Sequence, residues 1–282
     1  MDFTKVQKHG DVFAAHQRQE IPVLDEYFMH VHNFFELYML LDGNVEFCVE
    51  TTAYALQPGD IMLVRPGEAH FAKVAADHPY ERLYVQFSAK LLTQTLNGKL
   101  LTPFQERALG TYNHYTSKEL SRELVMPCMN QIFNNTGNPS QMRILAYVLP
   151  VLQSIYDCWE SKLHSPPPEM QNTLPNQIIA YINQFLFDLK NPEQIAKQFY
   201  ISESQLNRVF RSVSGSSVWE YVRLKRLFSA REMIASGKLP GEAAALCGFS
   251  EYSTFYRAYK KRFGTAPYTD HNRTSGTVTS LV

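Results

Sequence analysis

The feature that most limits how this chain can fold is a degenerate repeat in its C-terminal part. Ser202-Glu203-Ser204-Gln205-Leu206-Asn207-Arg208-Val209-Phe210-Arg211, closed by Gly215, parallels Ser250-Glu251-Tyr252-Ser253-Thr254-Phe255-Tyr256-Arg257-Ala258-Tyr259-Lys260, closed by Gly264. Aligned on the glycines, Leu206 matches Phe255, Arg208 matches Arg257 and Phe210 matches Tyr259. Each segment follows a short Ala-containing stretch, 193–199 or 242–247, with helical spacing. A helix, a tight turn and a second helix with an apolar inner stripe make a helix-turn-helix unit. The pattern occurs twice.

The spacing assigns a task to each side chain. Ser202 and Ser250 are expected to cap the second helix of their unit by accepting a bond from an unpaired N–H. Leu206, Val209, Phe210 and Val213 recur at helical spacing and should face inward, as should Phe255, Tyr259 and Phe263. That leaves Ser204, Gln205, Asn207, Arg208, Arg211 and Ser212 outside in the first unit. In the second, Tyr252, Ser253, Thr254, Tyr256, Arg257, Lys260 and Lys261 stay outside or at the margin. Arg, Asn and Gln suit base edges in a major groove, whereas Lys, Ser and Thr more often hold phosphates. Apart from Ser212, these outward residues and the two capping serines are the expected DNA contacts. Between the units, 218–236 predicts one long helix whose Tyr221, Leu224, Leu227, Phe228 and Ile234 pack against both. Such a spacer would place two recognition helices in successive major-groove segments, about 34 Å apart.

Charge supports a polyanionic partner for this half alone. The chain has 27 Lys and Arg against 27 Asp and Glu. Residues 1–173 carry 13 basic and 19 acidic side chains, and 174–282 carry 14 and 8. A neutral protein with one basic half can bind nucleic acid through that half. Cys48, Cys128, Cys158 and Cys247 show no CxxC spacing, which argues against a zinc ribbon or disulfide framework and fits a reducing cytoplasm. No reactive-cysteine motif is visible. No apolar run reaches the roughly 18 residues of a membrane span, and the first residues lack a secretory pattern. A cytoplasmic protein with no membrane partner is expected.

The first half has a different texture. From about Val23 to Ser88, FFELYMLL, NVEFCVETTAYAL, DIMLVRPG and LYVQFS alternate with turns at Asp42-Gly43, Pro58-Gly59-Asp60 and Pro66-Gly67. Short strands this close together predict a small barrel or sandwich. Helical spacing follows over 117–135, through Leu120, Leu124, Met126 or Pro127, and Ile132. It returns over 140–163, through Ile144, Leu145, Val148, Leu152, Ile155 and Trp159. The stiff segment Ser165-Pro166-Pro167-Pro168-Glu169 marks a domain boundary. The expected organisation is a sensory domain over 1–164, a linker over 165–173, a DNA-binding domain over 174–272 and a flexible tail over 273–282.

The run from Ile178 to Pro267 resembles the DNA-binding domain of the AraC/XylS family of bacterial transcription regulators. The resemblance rests on IAKQFYISESQLNRVFRSVSG, EYVRLKRLFSAREMI and ALCGFSEYSTFYRAYKKRFGTAP together. Two departures, Pro240-Gly241 and Ala243, suggest a looser first helix in the second unit. The family implies a fold of two domains, an all-β cupin-like barrel followed by helices and an all-α domain with two helix-turn-helix units. It also implies double-stranded DNA as a partner, RNA polymerase for an activator, and no enzymatic activity. Its sensory domains most often take sugars as effectors. The helices after the barrel would mediate a homodimer, or pack on their own barrel; the residues leave both open.

His30, His32 and Glu36, followed by Gly43, resemble the first cupin motif, and Pro66-Gly67-Glu68-Ala69-His70 the second with its proline displaced by one position. On a strand, positions 30, 32 and 36 would share a face. The resemblance implies that His30, His32, Glu36 and His70 could hold a divalent ion, although no cofactor is required; the donors suit Zn, Fe, Mn or Ni. Otherwise His30, His32, Glu36, Tyr38, His70, Tyr84 and Gln86 are the expected lining of a small-molecule effector site. A cupin metalloenzyme with an attached DNA-binding module, and a regulator controlled by a partner protein, remain as alternatives.

Overall fold

The computed structural model describes residues 1–23, 27, 29–50, 52–88, 91–92, 98–134, 140–163 and 173–275. The chain forms two compact units, Met1–Gln171 and Asn172–Val282. The expected linker, Thr173 excepted, and the tail beyond Ser275 lie outside the described residues.

The first unit contains strands β1 (Phe3–His9), β2 (Val12–Gln19), β3 (Phe35–Asp42), β4 (Val45–Val49), β5 (Thr52–Leu56), β6 (Ile61–Val64), β7 (His70–Val74), β8 (Tyr80–Phe87) and β9 (His114–Tyr115). They make a six-stranded sheet, ordered β1-β2-β8-β3-β6-β9, and a three-stranded sheet, β5-β4-β7, with every pairing antiparallel. The N-terminal hairpin β1–β2 was not expected from the sequence. Its edge strand carries Thr4, Lys5 and Lys8 and leaves Val6 exposed, so the alternation that marks a half-buried strand is faint.

Strand β3 runs between β8 and β6 and is buried on both faces. Side chains alternate along a strand, so Phe35, Leu37 and Met39 join one core while Tyr38 and Leu40 join another. The inner core is shared with Val45, Phe47, Tyr54 and Ala72 of the small sheet, so the two sheets close on each other as a cupin-like β-domain. The outer core is covered by α2 (Arg122–Asn134) and α3 (Gln141–Lys162), which follow a short α1 (Thr102–Gln105). Helix α3 is capped by Ser140, which accepts from the Arg143 N–H, and buries all the apolar positions expected of it. In α2 the phase differs by one residue from expectation: Val125, Met129 and Ile132 are buried and Leu124 is 39% exposed. Leu120 lies in the turn before the helix, so it does not set the helical phase. The helices therefore pack on their own β-domain.

An ion pair wholly out of water pins the loop before β7. Arg107 grips Glu68 with two bonds of 2.7 and 2.8 Å. The Gly110 N–H and the Asn113 amide also donate to that carboxylate, at 2.9 and 3.0 Å. Burial works against the charged form, yet Arg107 and these N–H donors hold the Glu68 carboxyl below the ordinary carboxylate range.

The second unit comprises α4 (Leu174–Gln184), α5 (Pro192–Gln198), α6 (Glu203–Ser214), α7 (Val218–Ala235), α8 (Pro240–Leu246), α9 (Tyr252–Phe263) and α10 (Pro267–Ser275). The pairs α5–α6 and α8–α9 are the two helix-turn-helix units. Both turns close alike, by Ile201 N–H on Ala196 O and Phe249 N–H on Ala244 O, each 3.0 Å. Ser202 caps α6 as expected, but Ser250 does not cap α9; Glu251 holds that place without a side-chain bond. The second turn is longer, and on the closing glycines Ser202 falls opposite Glu251. Leu206, Phe210, Phe255 and Tyr259 are buried, while Val209 and Phe263 are half-buried; the Val213 side chain lies outside the described set. Helices α5 and α8 have seven residues each, so Pro240 and Ala243 do not loosen the second unit. Proline is pre-set for the first turn, and Ala243 is fully buried.

Helix α7 opens with a capping box between Ser217 and Glu220. It buries Tyr221, Leu227, Phe228 and Ile234 as expected, with Leu224 half-buried. Arg226, only 4% exposed, donates to the carbonyls of Leu186 and Leu189 ahead of the first unit and to Gly248 in the turn of the second. Gly248 has φ +77°, and a Cβ there would lie 2.4 Å from Phe187 O and 2.9 Å from Arg226 Cζ.

Two stability effects are expected. Glu68→Gln leaves a buried guanidinium without its counter-charge and should cost about 3–5 kcal/mol in chemical denaturation of the first unit. A depressed carboxyl stabilises above its unfolded pKa of about 4.3 and ceases to do so as pH falls through the folded value. The variant should accordingly lose less stability than the wild type on acidification below about pH 4; an equal loss would show that the pair is energetically silent. Gly237 has φ +98° but nothing within 4 Å of a Cβ. Gly237→Ala should therefore cost about 1–2 kcal/mol, and Gly248→Ala clearly more. Equal urea midpoints for the two variants would contradict the close approach at Gly248.

Candidate functional site

A cavity of about 190 Å³ lies between the sheets, lined in part by His30, Glu36, Tyr38, Tyr84 and Gln86. The register explains the grouping, since Glu36 opposes Gln86 and Tyr38 opposes Tyr84 across the β3–β8 ladder. Gln86 Nε2 donates to Glu36 Oε2 at 2.6 Å, and His32 Nε2 contacts the same oxygen at 3.0 Å. His32 Nδ1 faces the Phe34 carbonyl at 3.0 Å. Tyr38 and Tyr80 share a hydroxyl–hydroxyl bond of 2.9 Å.

Strand parity is not what gathers the histidines. Strand β3 starts at Phe35, and His30 joins β7 only through an isolated bridge to His70. The bend at residues 33 and 34 brings His32 over Glu36 instead. The His30 and His32 rings lie 4.2 and 4.8 Å from that of His70, and the ring nitrogens of all three lie within 4.8 Å of one another.

His70 is 1% exposed, and its Nδ1 donates to Glu68 O at 3.0 Å. The carbonyl can only accept, so that bond fixes the tautomer. Burial, reinforced by the neighbouring His30 and His32, pushes the His70 pKa well below the usual imidazole range. Its Nε2 therefore carries a lone pair, is buried and has no hydrogen-bond partner; the nearest carboxylate atom, Glu36 Oε1, is 4.0 Å away. At Glu36, burial again opposes the charge, but the His32 bond, the two imidazoles and Gln86 hold the carboxyl well below the ordinary range. Three converging imidazoles, one with a free lone pair, are a donor set that fits a divalent transition-metal ion.

Sequence reasoning missed Tyr27, Phe47, Phe71, Ala72, Tyr80 and Arg82 in the lining. Arg82 and Tyr80 were within reach, because they share the parity of Tyr84 and Gln86 along β8.

The second unit presents a different surface. Ser202, Ser204, Gln205, Arg208 and Arg211 of the first helix-turn-helix are exposed. Asn207 is half-buried and turned inward: its amide donates to Glu203 O at 3.1 Å, and its Oδ1 accepts from Val218 N–H at 3.3 Å. In the second unit Ser250, Tyr252, Ser253, Thr254, Arg257, Lys260 and Lys261 are exposed and Tyr256 is half-buried. Lys197 on the first helix of the first unit pairs with Glu193 at 2.8 Å, and Lys238, in the turn before the first helix of the second, pairs with Glu242 at 3.2 Å. Among the described residues no carboxylate forms an ion pair with Arg208, Arg257, Lys260 or Lys261 on the second helices. Unpaired cations on the exposed face of a capped helix suit a phosphate backbone and base edges.

Comparison with known proteins divides the chain in the same way. Residues 12–149 match the model of an AraC-like ligand binding domain, and residues 195–273 that of a helix-turn-helix domain. LumQ of Photobacterium leiognathi is 33% identical over 88 residues, which are 31% of this chain and 36% of LumQ. RhaR of Pectobacterium atrosepticum, an HTH-type transcriptional activator, is 24% identical over 249 residues, covering 85% of this chain and 84% of RhaR. The solved structure of ToxT from Vibrio cholerae aligns with 92% of this chain and 97% of its own, at 13% identity and a TM-score of 0.41.

Proposed function

Because the chain belongs to the AraC family of transcription regulators, we propose that its two second helices read a two-part DNA site while the inter-sheet cavity takes the controlling small molecule. The protein is a DNA-binding transcription regulator with a ligand-binding domain, not an enzyme. The observation that carries the reading is the pair of exposed second helices, α6 and α9, whose Arg208, Arg257, Lys260 and Lys261 meet no carboxylate in an ion pair among the described residues. Gln205, Arg208 and Arg211 supply base-reading chemistry, with Tyr252, Tyr256, Arg257, Lys260 and Lys261 on the second unit. Ser202, Ser204, Ser250, Ser253 and Thr254 stand at helix starts, where hydroxyls reach phosphates. Asn207 supports the start of α7 and contributes indirectly. The cavity lining of tyrosines, Gln86 and Glu36 supports a small polar effector of sugar size. The regulator acts as a homodimer in the cytoplasm and engages RNA polymerase where it activates.

Selection of bound genomic fragments by the full-length protein should enrich a motif with two half-sites about one helical turn apart. On that motif Arg208→Ala and Arg257→Ala should each weaken binding by about 1–3 kcal/mol. No enrichment, or undiminished binding by both variants, would overturn the assignment.

A second reading of the cavity is supported by the buried, unpartnered Nε2 of His70. His30, His32 and His70 would hold a divalent ion there, with His32 giving up its contact to Glu36. Such an ion would supply a positively charged anchor for an oxygen ligand. Protein dialysed against zinc or manganese should then retain close to one equivalent by elemental analysis, and His70→Ala should retain none. Metal-free protein in both cases would dismiss the ion.

A further inference from the structure

We propose, building on the reading of the inter-sheet cavity as the effector site, that its ligand is a small hydroxycarboxylic acid whose carboxylate docks on Arg82. Arg82, Tyr84 and Gln86 alternate along β8 and so share a face, opposite Leu40, Tyr38 and Glu36 of β3. The cavity is therefore graded along the ladder: a guanidinium at one end, tyrosines in the middle, and the Glu36 carboxylate at the other. Four residues of strand separate the ends, roughly 13 Å along the backbone.

The two poles differ in what they lack. Arg82 lies over the rings of Tyr80 and Tyr27, 4.5 and 5.2 Å from their centroids. Cation–π contacts orient a guanidinium but bring no counter-charge. Among the described residues no carboxylate forms an ion pair with it. The neighbouring acids are engaged with another cation: Arg18 binds Glu81 at 2.7 Å and Asp42 at 3.3 Å, and Glu81 alternates with Arg82 onto the opposite face of β8. The Tyr27 and Tyr80 phenols also hydrogen-bond the guanidinium, but a half-buried guanidinium without a carboxylate partner among the described residues is matched best by a planar carboxylate, which takes two parallel bonds.

At the far pole Glu36 Oε2 is occupied by His32 and Gln86, whereas Oε1 faces His70 Nε2 across 4.0 Å. That oxygen is an acceptor awaiting a donor, which a ligand hydroxyl provides. The paired phenols of Tyr38 and Tyr80 lie between the poles. A cavity of about 190 Å³ has room for a molecule of sugar-acid size. A neutral sugar would satisfy Glu36 but bring Arg82 no counter-charge, and the described residues supply none. A phosphate dianion would bring more negative charge than one guanidinium offsets.

The test is calorimetric titration of the full-length protein with matched acid and neutral compounds. The probes are glucuronate with glucose, galacturonate with galactose, and gluconate with sorbitol, with glucose 6-phosphate as the phosphate arm. At least one acid is expected to bind about tenfold or more tightly than its neutral partner and than the phosphate. Arg82→Gln should bring that acid down to the neutral compound's level while leaving ligand-free binding to the selected DNA site unchanged. Should that variant not fold, Arg82→Lys keeps the charge without the two-pronged geometry and should still weaken the acid severalfold. Neutral compounds or glucose 6-phosphate binding as well as the acids, or acid affinity indifferent to residue 82, would overturn the assignment and leave the cavity an effector site of another class. No binding by any member of the panel would remove the effector reading as well.

Discussion

Arg107 is wholly enclosed, and its donors find the Glu68 carboxylate, the Asn113 side chain and the carbonyls of Pro103, Thr111 and Leu63. A charge so far from water survives only where every donor meets an acceptor. The segment 103–113 is thereby locked to the loop before β7, and that loop delivers His70 to the histidine cluster with its tautomer set by the Glu68 carbonyl; of that cluster only His30 lines the cavity. The second unit uses a related device with a different compensation. Among the described residues Arg226 donates to backbone carbonyls, of Leu186, Leu189 and Gly248, and lies 5.5 Å from the Trp219 ring centroid, so peptide dipoles and a π-face rather than a carboxylate carry the burden. Burial consequently draws its pKa below the ordinary guanidinium value. In return, one side chain of the spacer helix ties the approach to the first helix-turn-helix to the turn of the second.

The inter-sheet cavity owes its chemistry to a sheet that is buried on both faces. Helices α2 and α3 take the apolar row of β3 and β8, so the alternate row is free to carry Glu36, Tyr38, Arg82, Tyr84 and Gln86 inward. Without the helical cover the outer row would require polar residues, and a slip of one residue in register would exchange the two sets. The bulge between Leu40 and Asp42 lies beyond the cavity rows and leaves their register intact.

What was legible in the sequence follows from how local the cause is. Helix boundaries in the second unit depend on caps and closing glycines a few residues away, and Ser202, Gly215 and Gly264 mark them correctly. Ser250 misled because the two turns differ in length, a difference that appears only when the glycines, not the serines, set the alignment. Strands β3 to β6 and β8 were legible as short β-branched and aromatic runs between turn residues, whereas β1, on a solvent-facing edge, offers neither. Arg107 and Arg226 were illegible for a different reason: their partners are carbonyls and a carboxylate distant in sequence, and carbonyls leave no residue signature. Arg226 did leave one trace, since it lies four residues from Val222 and from Ala230, on a face otherwise apolar. The histidines of the cavity were legible as a set, but the bend that gathers them was not.

The two helix-turn-helix units share a backbone more closely than a surface. Tyr200 and Gly248 occupy the same left-handed turn position, φ 55° and 77°. Glycine is required only at the second, where Phe187 O and Arg226 crowd the site; at the first the tyrosine side chain projects into solvent, 96% exposed. The second helices diverge in the same manner. Helix α6 exposes Gln205 and Arg208, and α9 exposes the matching Arg257, all suited to hydrogen-bonding edges of bases, but α9 adds Tyr252, Lys260 and Lys261, which suit sugar, phosphate and apolar base contacts. Duplicated helices with unlike faces cannot read two copies of one sequence equally well.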